Sequence, residues 1–321
     1  MRPVPSLPYL APWYRVATAP GKVLLEHGQR IVRLEGRATE RLLPALLPLL
    51  DGTRTVDEIV QLLGPPVRPA VEQALELLAT HGVLGEGPPL PDDLPLPIAG
   101  TAGLLASLSP GSRSLKDIAA SVASCSVAVA GDGAAAIEVA RFLRAGGAEV
   151  DRVPGPDAGP DLTVCAPSAG ELYRLEQWNA QALEARVPWL QVLPFDGRYA
   201  SIGPLYLPGD TCCYECFRLR RQANLDGGAE LALLERAPMG YPGAPALDAV
   251  VGGLGALLVS SWLVRDDHYA PGAFYALELL PTLGLTVHHV YRVPRCPACS
   301  GLADVAPPLP WHKEMPVELA R

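Results

Sequence analysis

Lysine is nearly missing from this chain. Of its 26 basic residues only Lys22, Lys116 and Lys313 are lysines, so residues 117–312 hold none that could clasp a triphosphate as a P-loop does. A membrane-crossing run is also lacking. The longest apolar stretch, AVVGGLGALLVSSWLV at 249–264, falls short of the roughly 20 residues a bilayer requires and is broken by glycine and serine. It reads as a buried helix. Prolines in MRPVPSLPYLAPWYR interrupt the apolar core that a secretory signal needs, which predicts a cytoplasmic protein. A net charge of −8 argues against nucleic acid as a partner, because phosphate binding calls for a basic stripe. Neither GxSxG nor His-Glu-x-x-His occurs, and no internal repeat is visible.

What remains is a globular composition, 49% hydrophobic and 19% charged, in 321 residues, enough for two domains. KVLLEHGQRIVRLEG at 22–36 predicts a hairpin turning at Gly28 and Gln29. ATERLLPALLPLL predicts a helix made short or irregular by Pro44 and Pro48. A second helix starts at Thr55, whose side chain and Glu58 form a capping-box pair. The third runs from Pro69 to Gly82, with VLGEG after it as a short wing strand. Hairpin plus three helices is a winged-helix plan covering 1–88. A proline-rich linker is predicted at 89–100, and an α/β domain at 101–321. In that domain strands alternate with helices, which predicts a mainly parallel sheet of Rossmann type.

Residues 1–90 carry nine basic and nine acidic side chains, and the third helix has no Lys or Arg. A DNA-reading helix needs basic side chains, so a peptide is the better partner for this module. The edge strand Gln29, Arg30, Ile31, Val32, Arg33 and Leu34 could accept a peptide as an added strand, against Ala70, Gln73, Ala74 and Leu77 of the third helix.

Seven cysteines are present, and four form two Cys-x-x-Cys pairs, Cys213 with Cys216 and Cys296 with Cys299. Four thiolates make a closed tetrahedral zinc site with no open position for substrate, while four separate buried thiols are the alternative. Cys212 is left over, either packed in the core or as a second thiol beside the site. Gly131, Gly133 and Ala136 follow the strand SVAVA in a GxGxxA turn, and Asp151 ends the next strand where an acid could bind ribose. The other reading is a tight turn alone. His288 and His289 are neighbours on a predicted strand and point to opposite faces.

The order IGPLYLPGDTCCYECF and then RCPAC resembles the E1-like ThiF/MoeB superfamily, whose zinc tetrad comes from two such pairs; Cys213, Cys216, Cys296 and Cys299 match it. Enzymes of that superfamily carry a long ATP-handling segment between the second and third strands, which is missing here. LPLLDGTRTVDEIVQLL followed by VEQALELLATHGVL resembles the PqqD-like RiPP recognition element. The combination looks like the leader-peptide-binding, ocin-ThiF-like partner of azoline-forming YcaO cyclodehydratases of thiopeptide-type pathways. That resemblance implies a non-catalytic subunit with structural Zn2+, no ATP on this chain, and degenerate nucleotide contacts at Gly131, Gly133, Ala136 and Asp151. It also implies a precursor leader peptide and a YcaO subunit as partners, and leaves a homodimer open. An adenylating E1-like enzyme and a zinc-containing winged-helix regulator are the competing readings.

Overall fold

The protein is described from a computed structural model, for residues 3–300 other than 109–112, 154–158, 238, 240, 242, 266–270 and 280. It divides into two compact units, one of Met1–Cys125, Arg141–Glu149 and Leu257–Asp267, the other of Ser126–Ala140, Val150–Ala256 and His268–Arg321.

In the first unit, β1 (Pro8–Leu10) is followed by an antiparallel meander of β2 (Arg15–Ala19), β3 (Lys22–His27) and β4 (Arg30–Glu35), in the order β2-β3-β4. His27 pairs with Arg30 across the turn, and Gly28 takes the positive φ of 61° that lets two residues reverse the chain. Alternation sends Val23, Leu25, Val32 and Leu34 into the core and leaves Ile31 and Arg33 outside. The proline-interrupted stretch breaks into α1 (Arg37–Arg41), α2 (Leu43–Leu46) and a single 3-10 turn, as missing proline N–H groups dictate. Thr55 caps α3 (Val56–Leu63) with a reciprocal capping box to Glu58. α4 (Arg68–Thr80) buries Val71, Leu75 and Leu78 and ends at Gly82, φ 74°. Full burial of leucines such as Leu75 and Leu78 contributes about 1.5–3 kcal/mol each.

Two expectations for this part need correction. β5 (Leu84–Glu86), read from the sequence as a wing, pairs with β1 rather than with the meander. The expected linker 89–100 is not free of regular structure, because α5 (Leu96–Leu108) begins within it. α5 packs on α6 (Leu115–Ser124), and residues through Cys125 group with the first unit. Pro95 precedes that helix without breaking it, since a proline ahead of the first turn removes no helical hydrogen bond.

The second unit is built on a seven-stranded sheet in the order β12-β11-β10-β9-β8-β6-β7. β6 (Ser126–Ala130) runs into α7 (Ala134–Ala145) and β7 (Glu149–Val153). β8 (Leu162–Cys165), α8 (Arg174–Ala185) and β9 (Trp189–Leu193) then extend the sheet on the other side of β6. β6, β8 and β9 are mutually parallel. The sheet is mixed rather than mainly parallel, because β10 (Tyr199–Tyr206), β11 (Ala273–Glu278) and β12 (Gly284–His289) continue it antiparallel. Short turns reverse the chain at β9–β10 and β11–β12, and a crossover helix is needed only for parallel neighbours. Between β10 and β11 lie α9 (Tyr214–Asn224), α10 (Leu231–Leu234) and α11 (Pro245–Arg265). α11 is longer than the apolar run suggested, and passes by length and composition as a membrane-crossing segment. Length and composition alone do not make it a membrane span, and at Gly255 it packs against Val139 and Val192 of the second unit.

Candidate functional site

The two Cys-x-x-Cys pairs converge. β10 ends in a turn in which the Thr211 hydroxyl accepts from the Leu207 amide at 2.8 Å, and α9 starts immediately after it with Cys213 at its N-cap. One helical turn brings Cys216 beside Cys213, with Sγ atoms 3.8 Å apart. After β12 the chain returns: Cys296 Sγ lies 3.6 Å from Cys213 Sγ, and Cys299 Sγ 3.5 Å from Cys216 Sγ. All four sulfurs lie within 4.8 Å of one another. A tetrahedron with metal–sulfur bonds of about 2.3 Å has edges of about 3.8 Å, so the donor set fits one metal ion.

The surroundings favour thiolate at one corner. Cys216 is held down to about 4 by the hydrogen bond from Cys213 and, against burial, by the Val293 amide, whose nitrogen is 3.3 Å away. The same hydrogen bond, with burial, pushes Cys213 up, and burial lifts Cys299 to about 11. Arg292 ties the halves together by donating to the carbonyls of Gly209 and Cys299 at 2.7 and 2.8 Å. Cys212 is packed in the core at 2% exposure, and burial pushes its thiol up to about 12. A thiol so hard to ionise is a poor nucleophile at neutral pH.

The GxGxxA turn sits at the C-terminal end of β6, where strand order reverses between β6 and β8, the place where open α/β sheets bind ligands. Its glycines are explained by packing. A Cβ on Gly131 (φ 107°) would stand 2.4 Å from the Ala166 carbonyl oxygen, and one on Gly133 2.7 Å from the same atom. The Gly133 amide, a natural phosphate donor, gives its proton to that carbonyl at 3.1 Å. Asp132 accepts from the Ser168 amide and hydroxyl at 2.8 and 2.9 Å. Burial raises its pKa, but those bonds and Arg174 outweigh burial and hold the carboxyl below its ordinary value, so a negative charge occupies the mouth of the turn. The space beside it, between Gly133–Ala135, Pro167–Ala169 and Asp248, is about 80 Å3, well under the roughly 300 Å3 at which small-ligand pockets begin. Ala136 is fully buried and Asp151 is exposed on β7. The close approach of the Ala166–Pro167 loop was not legible in the sequence.

The residues expected to meet a peptide lie in the first unit. β4 is the terminal strand of its sheet; Gln29, Arg30, Ile31 and Arg33 are exposed, Ile31 at 64%, while Val32 and Leu34 face inward. Ala70, Gln73 and Leu77 are exposed on α4 and Ala74 is half-buried, forming one stripe at i, i+3, i+4, i+7. The Arg30 guanidinium lies 3.1 Å from Nδ1 of His81 at the C-cap of α4, so the strand's start and the helix's end are adjacent.

Comparison with solved structures places about nine-tenths of the chain in a known architecture. The heterocyclase TruD superposes with a TM-score of 0.69 at 24% identity, over 92% of this chain and 43% of that one. MccB from E. coli with ATP gives 0.64 at 14% identity, over 91% and 99%. The microcin C7 biosynthetic enzyme MccB in complex with N-formylated MccA gives 0.62 at 13% identity, over 91% and 99%. At such identities the shared property is the fold. The chain spans less than half the length of the TruD chain it matches. No protein-family profile matches the sequence, and no curated protein matches it.

Proposed function

We propose that this chain binds the leader peptide of a ribosomally synthesised precursor and presents the core's Cys, Ser or Thr residues to a separate ATP-dependent YcaO cyclodehydratase. The observation that carries the reading is the exposed terminal strand β4, whose Arg30 reaches His81 at the end of α4, together with the exposed stripe on that helix. A leader adding there as a strand would gain main-chain hydrogen bonds, and its apolar side chains would meet Ile31, Ala70, Ala74 and Leu77. In this reading residues 1–88, part of the first unit, are a winged-helix recognition element of PqqD type. Tethering by the leader raises the local concentration of the core at the partner's site, to the millimolar range for a short linker. The chain's own residues bind and orient; the engaged Gly133 amide and the Asp132 charge favour a subunit that leaves ATP to its partner.

Zn2+ is the metal proposed for Cys213, Cys216, Cys296 and Cys299. Four sulfur donors suit it and leave no position for substrate, so its contribution is a cross-link between α9 and the segment after β12. Fluorescence polarisation with a cognate precursor leader peptide tests the main reading. Binding is expected for the isolated chain and lost in Ile31→Asp; a leader that does not bind would sink it. A second reading, an adenylating enzyme, draws on the near-full-length likeness to MccB with ATP. Calorimetry with Mg-ATP decides it, heat of binding favouring the enzyme.

A further inference from the structure

Over the antiparallel half of the seven-stranded sheet lies a cleft of about 700 Å3, within the roughly 300–1,000 Å3 range of ligand sites. Its floor is one face of the pleat, with Ser201 of β10, Phe274 and Ala276 of β11, and Thr286 and His288 of β12. From Phe274 to Glu278 that floor runs about 14 Å at 3.4 Å per residue, the length of about four extended residues. One wall is α9, anchored at its first turn by Cys213 and Cys216.

The two ends differ. At one, Phe217 and Phe274 lie with ring centroids 5.1 Å apart, and His288 is 6.4 Å from Phe274. At the other, Asp196 faces Arg221 at 3.8 Å, and Glu278 is paired with Arg198 at 2.8 Å.

Charge selects the ligand. Arg220 donates to the carbonyls of Tyr291 and Arg292 at 2.7 and 3.2 Å, and Arg221 is shared between Asp196 and Glu235 at 3.8 and 4.0 Å. A carboxylate or phosphate would have to compete with these pairings and face the carboxylates of Asp196 and Glu278. A neutral chain leaves every pair in place.

We propose that the cleft binds an internal segment of a peptide in extended form, with a large apolar side chain against Phe217 and Phe274 and the uncharged backbone along the polar end. This stands on the cleft alone and does not depend on the edge of β4.

The test uses the full chain and two peptides of sequence Ser-Phe-Cys-Leu-Ser labelled with fluorescein at the N-terminus, one amidated and one a free acid at the C-terminus. The amide is expected to bind at least as tightly as the acid. Ala276→Trp, which fills the floor, is expected to weaken it about tenfold or more, and Ile31→Asp to leave it unchanged. Because a tryptophan inside the sheet can disturb folding, Thr286→Trp on the exposed edge strand repeats the block. A benzophenone in place of the peptide's Phe is expected to cross-link within 193–201, 217–225 or 274–290. Preference for the free acid by about tenfold would make the cleft a carboxylate-terminus site and overturn the proposal. So would cross-links elsewhere, binding unaffected by both tryptophans, or no binding up to about 1 mM.

Discussion

Removing the metal that we assign to the four cysteines tests the second unit most directly. Cys213 and Cys296 are 83 residues apart in sequence and 3.6 Å apart at their sulfurs, so a metal bridging them closes a long loop. By the chain-entropy estimate for a cross-link closing such a loop, its loss costs about 4.5 kcal/mol. For a unit of this size each kcal/mol corresponds to about 2–4 °C, which places the fall in Tm at about 9–18 °C. Differential scanning fluorimetry with and without a chelator, and on Cys213→Ser and Cys296→Ser, reads the shift, while elemental analysis should find about one zinc per chain. Either single variant already opens the bridge, so the double variant should cost no more than the worse single one. A chain purified without metal, and melting within about 2 °C of one loaded with zinc, would refute the reasoning and return the cluster to four buried thiols.

Gly131→Ala should destabilise the second unit by about 3 kcal/mol, seen in urea melts, because its Cβ would stand 2.4 Å from the Ala166 carbonyl at a φ of 107°. A variant as stable as the parent would contradict the packing role given to this glycine. Asp132→Asn should lower stability at pH 7 by less than about 1 kcal/mol, since the carboxyl is largely exposed. The folded carboxyl lies below its ordinary value, so its contribution is present above that value and fades as pH falls through it. Melts of the two proteins should therefore converge once the pH is low enough to protonate the carboxyl in the folded chain as well, and a gap that persists in acid would point to another cause. Ile31→Asp should abolish leader binding by more than about tenfold in fluorescence polarisation with Tm unchanged, as the side chain is 64% exposed; loss of folding instead would make Ile31 structural.

Local signals were legible. The turn at Gly28 and Gln29, the Thr55–Glu58 capping box, the stop at Gly82 and the alternation in RIVRL each depend on neighbours within a few residues, and each stands where the sequence puts it. The proline pattern likewise announced the broken helices at 37–49. The pairing of the cysteines was readable as chemistry, because two short-spaced thiol pairs have few other uses in a chain of this composition.

What the sequence alone determined, then, are the hairpin and helices of the first 80 or so residues, their turn and cap residues, and the thiol type of the candidate ligands, since propensity, capping and ligand spacing act over a few residues. Tertiary structure alone decided the remainder. It brought sulfurs 83 residues apart to 3.6 Å and closed the cleft between α9 and the antiparallel strands. It also engaged the Gly133 amide with Ala166, so that a glycine turn with the spacing of a phosphate loop serves packing. Those outcomes depend on which surfaces meet, and no local pattern carries that information.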